Sequence, residues 1–162
     1  MEIRPARPED VPEILAMLRE SAADQGEPDA VIVSEGELRD DLFGAMPRAH
    51  ALVAESGGTC AGLALHFFNY STWTSRLGLY LEDLYVRPEH RGSGLARRMM
   101  IELARIAVDA GCGRLHWTVL RSNGRAIRFY QKIGAHLFED WAPMVLTGDA
   151  LRKLADSTPE DC

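Results

Sequence analysis

The stretch Tyr85-Val86-Arg87-Pro88-Glu89-His90-Arg91-Gly92-Ser93-Gly94-Leu95-Ala96 constrains this chain more than any other. A short apolar run ends in a turn, two glycines follow, and an amphipathic helix begins. That is a backbone suited to holding a pyrophosphate. Glycines let the main chain come close to an anion. The free N–H groups of a first helical turn point at it, and the helix dipole adds partial positive charge. Arg91 and Arg97 flank the turn and can add full charges. A Gly-Ser-Gly before a helix is also an ordinary loop and cap, so this spacing alone leaves two readings. No Gly-Lys-Ser/Thr follows, which excludes the P-loop pattern. The third glycine of the dinucleotide fingerprint is also missing.

Periodicity places this loop within an ordered series of elements. Residues 2–5 read as a strand, and Pro8-Glu9-Asp10 starts a helix with acidic residues at its positive end. Val11, Ile14, Leu15 and Leu18 form its apolar stripe. Ser34 with Glu37 reads as a capping box opening a second helix through Leu38, Leu42 and Phe43. Ala49–Glu55, Ala61–Trp73 and Leu77–Val86 read as strands, with Ser56-Gly57-Gly58-Thr59 as a hairpin turn. A helix is expected from about Ser93 to Ala110, a strand over Arg114–Leu120 and a helix over Asn123–Ile133. Two late strands are expected at about His136–Glu139 and Ala142–Leu146, and a last helical turn at Leu151–Ala155. This order predicts one mixed sheet covered by helices. The reading is a single domain over 1–155 with a polar, flexible tail at 156–162.

Bulk properties exclude several classes. A net charge of −6 argues against a nucleic-acid binder and suits a cationic substrate. The three cysteines, Cys60, Cys112 and Cys162, have no metal-ligand spacing and fit a reducing cytoplasm. No histidine pair has zinc spacing, so no metal is expected. Met1-Glu2-Ile3-Arg4 has no apolar run, so no signal peptide is expected, and no segment approaches a membrane span.

Two motifs carry a resemblance. Arg91-x-x-Gly94-x-Ala96 resembles the Arg/Gln-x-x-Gly-x-Gly/Ala acetyl-CoA loop of the GNAT N-acetyltransferases. One strand later, Asn123-Gly124-Arg125-Ala126-Ile127-Arg128-Phe129-Tyr130 through Gly134-Ala135 resembles a second segment of that superfamily. Phe67 through Trp73 and Tyr80-Leu81-Glu82-Asp83-Leu84-Tyr85-Val86 are similar to the diamine and polyamine branch, which includes the thialysine acetyltransferases. The resemblance runs from about Ile3 to Leu154. It implies an α/β (α+β) GNAT fold: a single mixed, mostly antiparallel sheet flanked by helices, with acetyl-CoA at a splayed central strand pair. It also implies a homodimer and a small-molecule amine substrate.

Residue roles follow from that resemblance. Glu82 would take the proton from the acceptor ammonium, and Tyr130 would give one to the departing thiolate. Strict strand alternation puts Asp83 on the face opposite Glu82, which assigns it to structure. Leu84, Tyr85 and Val86 would offer main-chain groups to the pantetheine arm. Arg91, Gly92, Ser93, Gly94, Leu95, Ala96 and Arg97 would hold the pyrophosphate, and Asn123, Gly124, Arg125 and Ala126 would close over the arm. Asp24 and Gln25 fall where the branch has its acidic substrate loop, with Glu27 and Asp29 as alternatives. His116, Trp117 and Thr118 would line the amine pocket, with Tyr70 and Trp141 as possible walls. Arg76, Arg121 and Arg125 are candidate partners for a substrate carboxylate. Other acceptors remain open (a protein N-terminus, a lysine, an antibiotic), as does a non-catalytic acyl-CoA binder.

Overall fold

The structure, a computed structural model, describes residues 1–157. Cys162 and most of the expected tail lie outside the described residues. The chain divides into two compact units, Met1–Leu120 and a second that starts at Arg121, and each is taken by itself.

In the first unit five strands lie side by side in chain order: β1 (Glu2–Pro5), β2 (His50–Ser56), β3 (Thr59–Ser71), β4 (Arg76–Val86) and β5 (Arg114–His116). The first three junctions are antiparallel and β4–β5 is parallel. The β2–β3 turn has Gly57 and Gly58 at φ +60° and +84°, the positive-φ pair that a tight hairpin needs.

A 3-10 turn at Pro8–Asp10 leads into α1 (Val11–Asp24), and α2 (Glu35–Phe43) follows. The Ser34–Glu37 capping box forms as the sequence indicates, with both reciprocal bonds present. These helices cover one sheet face. Val11, Ile14, Leu15, Met17, Leu38 and Leu42 pack with Val53, Leu63, Leu65 and Tyr85 in one buried cluster. Each fully buried leucine there contributes about 1.5–3 kcal/mol. The other face belongs to α3 (Leu95–Asp109), which buries Leu95, Met99, Met100, Leu103 and Ala107. A methyl group on Gly62 would meet Met99 Sδ at 3.2 Å, which places Gly62 against that helix. The helix begins at Leu95 and not Ser93, because Gly94 is held at φ +81°, outside helical space.

The second unit contains α4 (Gly124–Lys132) and α5 (Gly148–Asp156). The two late strands expected at His136–Glu139 and Ala142–Leu146 do not form. Alternation supplies a strand only where a ladder partner exists, and Pro143 removes one donor from the second segment. Phe138, Trp141 and Met144 are exposed there. The strand expected over Arg114–Leu120 is also shorter, ending at His116.

Candidate active site

The sheet parts between β4 and β5. The two strands pair only where Gly78, Leu79 and Tyr80 meet Arg114, Leu115 and His116. Beyond Tyr80, β4 continues to Val86 against β3 alone. From Leu81 onward its other edge has no strand partner among the described residues. Main-chain groups of the Leu84-Tyr85-Val86 segment lie on this unpaired stretch.

Glu82 sits at an irregularity in the same stretch. Leu65 pairs with Asp83, yet His66 pairs with Leu81, so Glu82 is the extra residue of a β-bulge. It is exposed. The bulge shifts the alternation so that Asp83 falls on the same face as Tyr80. Asp83 shares a face with its partner Leu65 and with Tyr85, the face covered by α1 and α2. There it lines a groove of about 310 Å³ with Leu18, Ser21, Gln25, Val31 and Val33. Burial, reinforced by the nearby Glu82 charge, pushes the Asp83 carboxyl up to about 6. A carboxyl so shifted at a groove is a mark of acid–base chemistry, and its sequence signal is weak because the residues that form the groove with it are distant in the chain.

The glycine loop follows β4 directly. Gly92 and Gly94 have φ of +79° and +81°, and a methyl group on either would meet open space. The first-turn N–H groups of α3 have no intrahelical acceptors. This open cradle at a helix start, beside an unpaired strand edge, fits a pyrophosphate and its extended arm. Ser93 Oγ donates to the His90 carbonyl and stiffens the loop. Arg91 donates from Nε to the Val86 carbonyl, pairs with Asp24, and lies 5.5 Å over the Tyr85 ring. Asp24 and Gln25 therefore separate. Asp24 lines a second groove with Glu20, Tyr85 and Arg87, whereas Gln25 joins Asp83 in the first.

His116 is half-buried, and its Nε2 lies 2.9 Å from Asn69 Nδ2. Its ring meets the Tyr80 ring edge-on at 5.0 Å, and Tyr80 OH donates to Thr118 Oγ1 at 3.3 Å. Burial, with the Arg114 charge, lowers the His116 pKa. Trp117 is also half-buried.

In the second unit, Asn123 caps α4 by accepting from the Ala126 N–H at 3.0 Å. Gly124 and Ala126 are half-buried, and Arg125 is exposed. Tyr130 is half-buried beside Phe129, and burial raises its phenol pKa. No group of three or more His, Cys, Asp or Glu placed to hold a metal ion occurs among the described residues. No helix among them is long and apolar enough to cross a membrane.

Over residues 14–135 the chain matches the acetyltransferase (GNAT) family. The chain belongs to that family and is an N-acetyltransferase. It is 40% identical over 94% of its length to the thialysine N-epsilon-acetyltransferase of Sus scrofa, covering 96% of that protein. It is 36% identical over 83% of its length to the Homo sapiens spermidine/spermine N(1)-acetyltransferase-like protein 1, matching 20% of that longer chain. An integron cassette protein from V. cholerae has the same fold, with a TM-score of 0.82, 27% identity, and coverage of 96% of this chain and 98% of the other.

Proposed function

We propose that the enzyme moves an acetyl group from acetyl-CoA to the primary amine of a small diamine, polyamine or lysine-like substrate, by direct attack in a ternary complex. The observation that carries this reading is the Glu82–Asp83 carboxyl pair at the bulge, where β4 leaves β5. The similarity to thialysine and spermidine/spermine enzymes supports the same acceptor class.

Acetyl-CoA as co-substrate brings the acetyl thioester. An acceptor ammonium cannot attack until it loses a proton. Glu82 takes that proton, directly or through water, and Asp83 holds the cation from the groove side. The glycine loop from Arg91 to Arg97 binds the pyrophosphate, and main-chain groups of Leu84 to Val86 pair with the pantetheine arm. Residues Asn123 to Ala126 close over that arm. Tyr130, kept protonated by its raised pKa, gives a proton to the departing thiolate. The enzyme works in the reducing cytoplasm as a homodimer.

The test is thiol release from acetyl-CoA with putrescine, spermidine, spermine, lysine, thialysine and a peptide N-terminus, at pH 7 and pH 9. Turnover with a small amine is expected. Turnover with the peptide alone would overturn the acceptor assignment.

A further inference from the structure

Charge is distributed unevenly along the central strands. From His66 through Leu81 neither β3, β4 nor their connecting turn contains an aspartate or glutamate. The formal charge there comes from Arg76, and β5 adds Arg114 beside His116. Glu82 and Asp83 stand at the opposite end. Asp83, Tyr80, His116 and Arg114 fall on one sheet face, because Tyr80 pairs with His116 and Gly78 with Arg114. Asp83 and Tyr80 stand opposite Leu65 and Phe67, two residues apart on β3 and so about 7 Å along the strand. One small molecule therefore spans a carboxylate end and a cationic end.

The cationic end has a built geometry. A methyl group on Gly78 would lie 2.5 Å from Asn69 Oδ1 and 3.1 Å from Arg114 Nε. The absent side chain makes room for the Asn69 amide, and its buried oxygen sits on the Arg114 side without a hydrogen-bond partner. A carbonyl oxygen facing a guanidinium is electrostatically favourable, and an NH2 group there is not. The amide nitrogen is thereby directed at His116, donating to the Nε2 lone pair. The ring proton must then reside on Nδ1, so His116 reaches a ligand only as a donor.

We propose that Asn69 locks His116 as a neutral Nδ1–H donor, and that His116 and Arg114 together read the carboxylate of an amino-acid acceptor whose amine lies toward Glu82 and Asp83. A second ammonium in that place would face a donor and a guanidinium. This rests on the small-amine acetyltransferase reading and names its acceptor as an amino acid with a distal amine. Asn69 is a positioning residue, because it acts through His116.

Long-range 1H–15N correlation on the wild-type enzyme, with the His116 signal assigned by its loss in His116→Gln, reads the tautomer. Nδ1–H is expected, and Nε2–H would overturn the proposal. The ratio of kcat/KM for lysine over cadaverine, which lacks only the carboxylate, should fall at least tenfold in Asn69→Leu and in Arg114→Gln. An unchanged ratio in both variants would overturn it. If neither amine is turned over, the acetyl-transfer reading fails, but titration of the His116 signal still decides this inference. Lysine moving that signal at lower concentration than cadaverine supports it, and the reverse order sinks it.

Discussion

Asp24, the last residue of α1, holds Arg91, the cation that opens the glycine loop, in an ion pair at 2.5 Å. If the glycine loop binds the coenzyme pyrophosphate as proposed, an arriving phosphate competes with Asp24 for that guanidinium. Asp24→Asn should tighten acetyl-CoA binding about two- to fivefold, the range of a partly exposed ion pair. The amine KM should change less than about twofold. Calorimetric titration at low salt measures the first and steady-state kinetics the second. A large rise in amine KM with unchanged coenzyme affinity would return Asp24 to the substrate.

Gly94 caps α3 in left-handed geometry with open space where a side chain would be. Gly94→Ala should lower stability by about 1–2 kcal/mol through backbone strain alone. Gly94→Trp should in addition fill the cradle and weaken acetyl-CoA binding at least tenfold. Thermal unfolding and coenzyme titration separate the two effects. An unchanged coenzyme Kd in the tryptophan variant would remove the phosphate role from this loop.

In the proposed mechanism, Tyr130→Phe removes the proton offered to the leaving thiolate. The kcat should fall about a hundredfold, within the usual range for a lost general acid. Acetyl-CoA affinity should hold, since the ring remains. Single-turnover kinetics would show the loss in the chemical step. A normal kcat would leave Tyr130 as packing.

Asp83 sets a pH dependence of stability. Its folded pKa of about 6 lies above the ordinary value of 3.8 because of burial and the Glu82 charge. Between these values the native state binds more protons than the unfolded chain. Stability should therefore fall as pH rises through that window and stay lower above it. Asp83→Asn should match wild type at pH 4 and exceed it at pH 8 by about 2 kcal/mol. Urea unfolding at the two pH values gives the comparison. A variant less stable at pH 8 would mean that Asp83 has a compensating partner.

Local signals were legible where one residue type meets a single backbone demand. Ser34 and Glu37 announce their cap, Gly57-Gly58 its hairpin, and Leu95, Met99 and Leu103 their helix face. The splayed strand pair was expected through resemblance and is present as the three-residue β4–β5 ladder. What escaped was set by partners distant in sequence. The register shift opposite Leu65 and His66 is a property of two strands, so alternation within β4 does not show that Asp83 falls on the face of Tyr80. The segment around Trp141 has strand-like residues but no ladder to join. Asn69 acquires its meaning only when β3, β4 and β5 bring it to His116 and Gly78.

The bulge at Glu82 is an insertion that the ladder does not use. With that residue deleted, Leu81 and Asp83 would be consecutive and still face His66 and Leu65, the partners they have now. Every side chain from Asp83 to Val86 would keep its side of the sheet. A chain one residue shorter would thus keep the same ladder and lose the carboxylate proposed to accept the proton, so the bulge at Glu82 is where the sheet's regularity and the proposed chemistry make opposite demands.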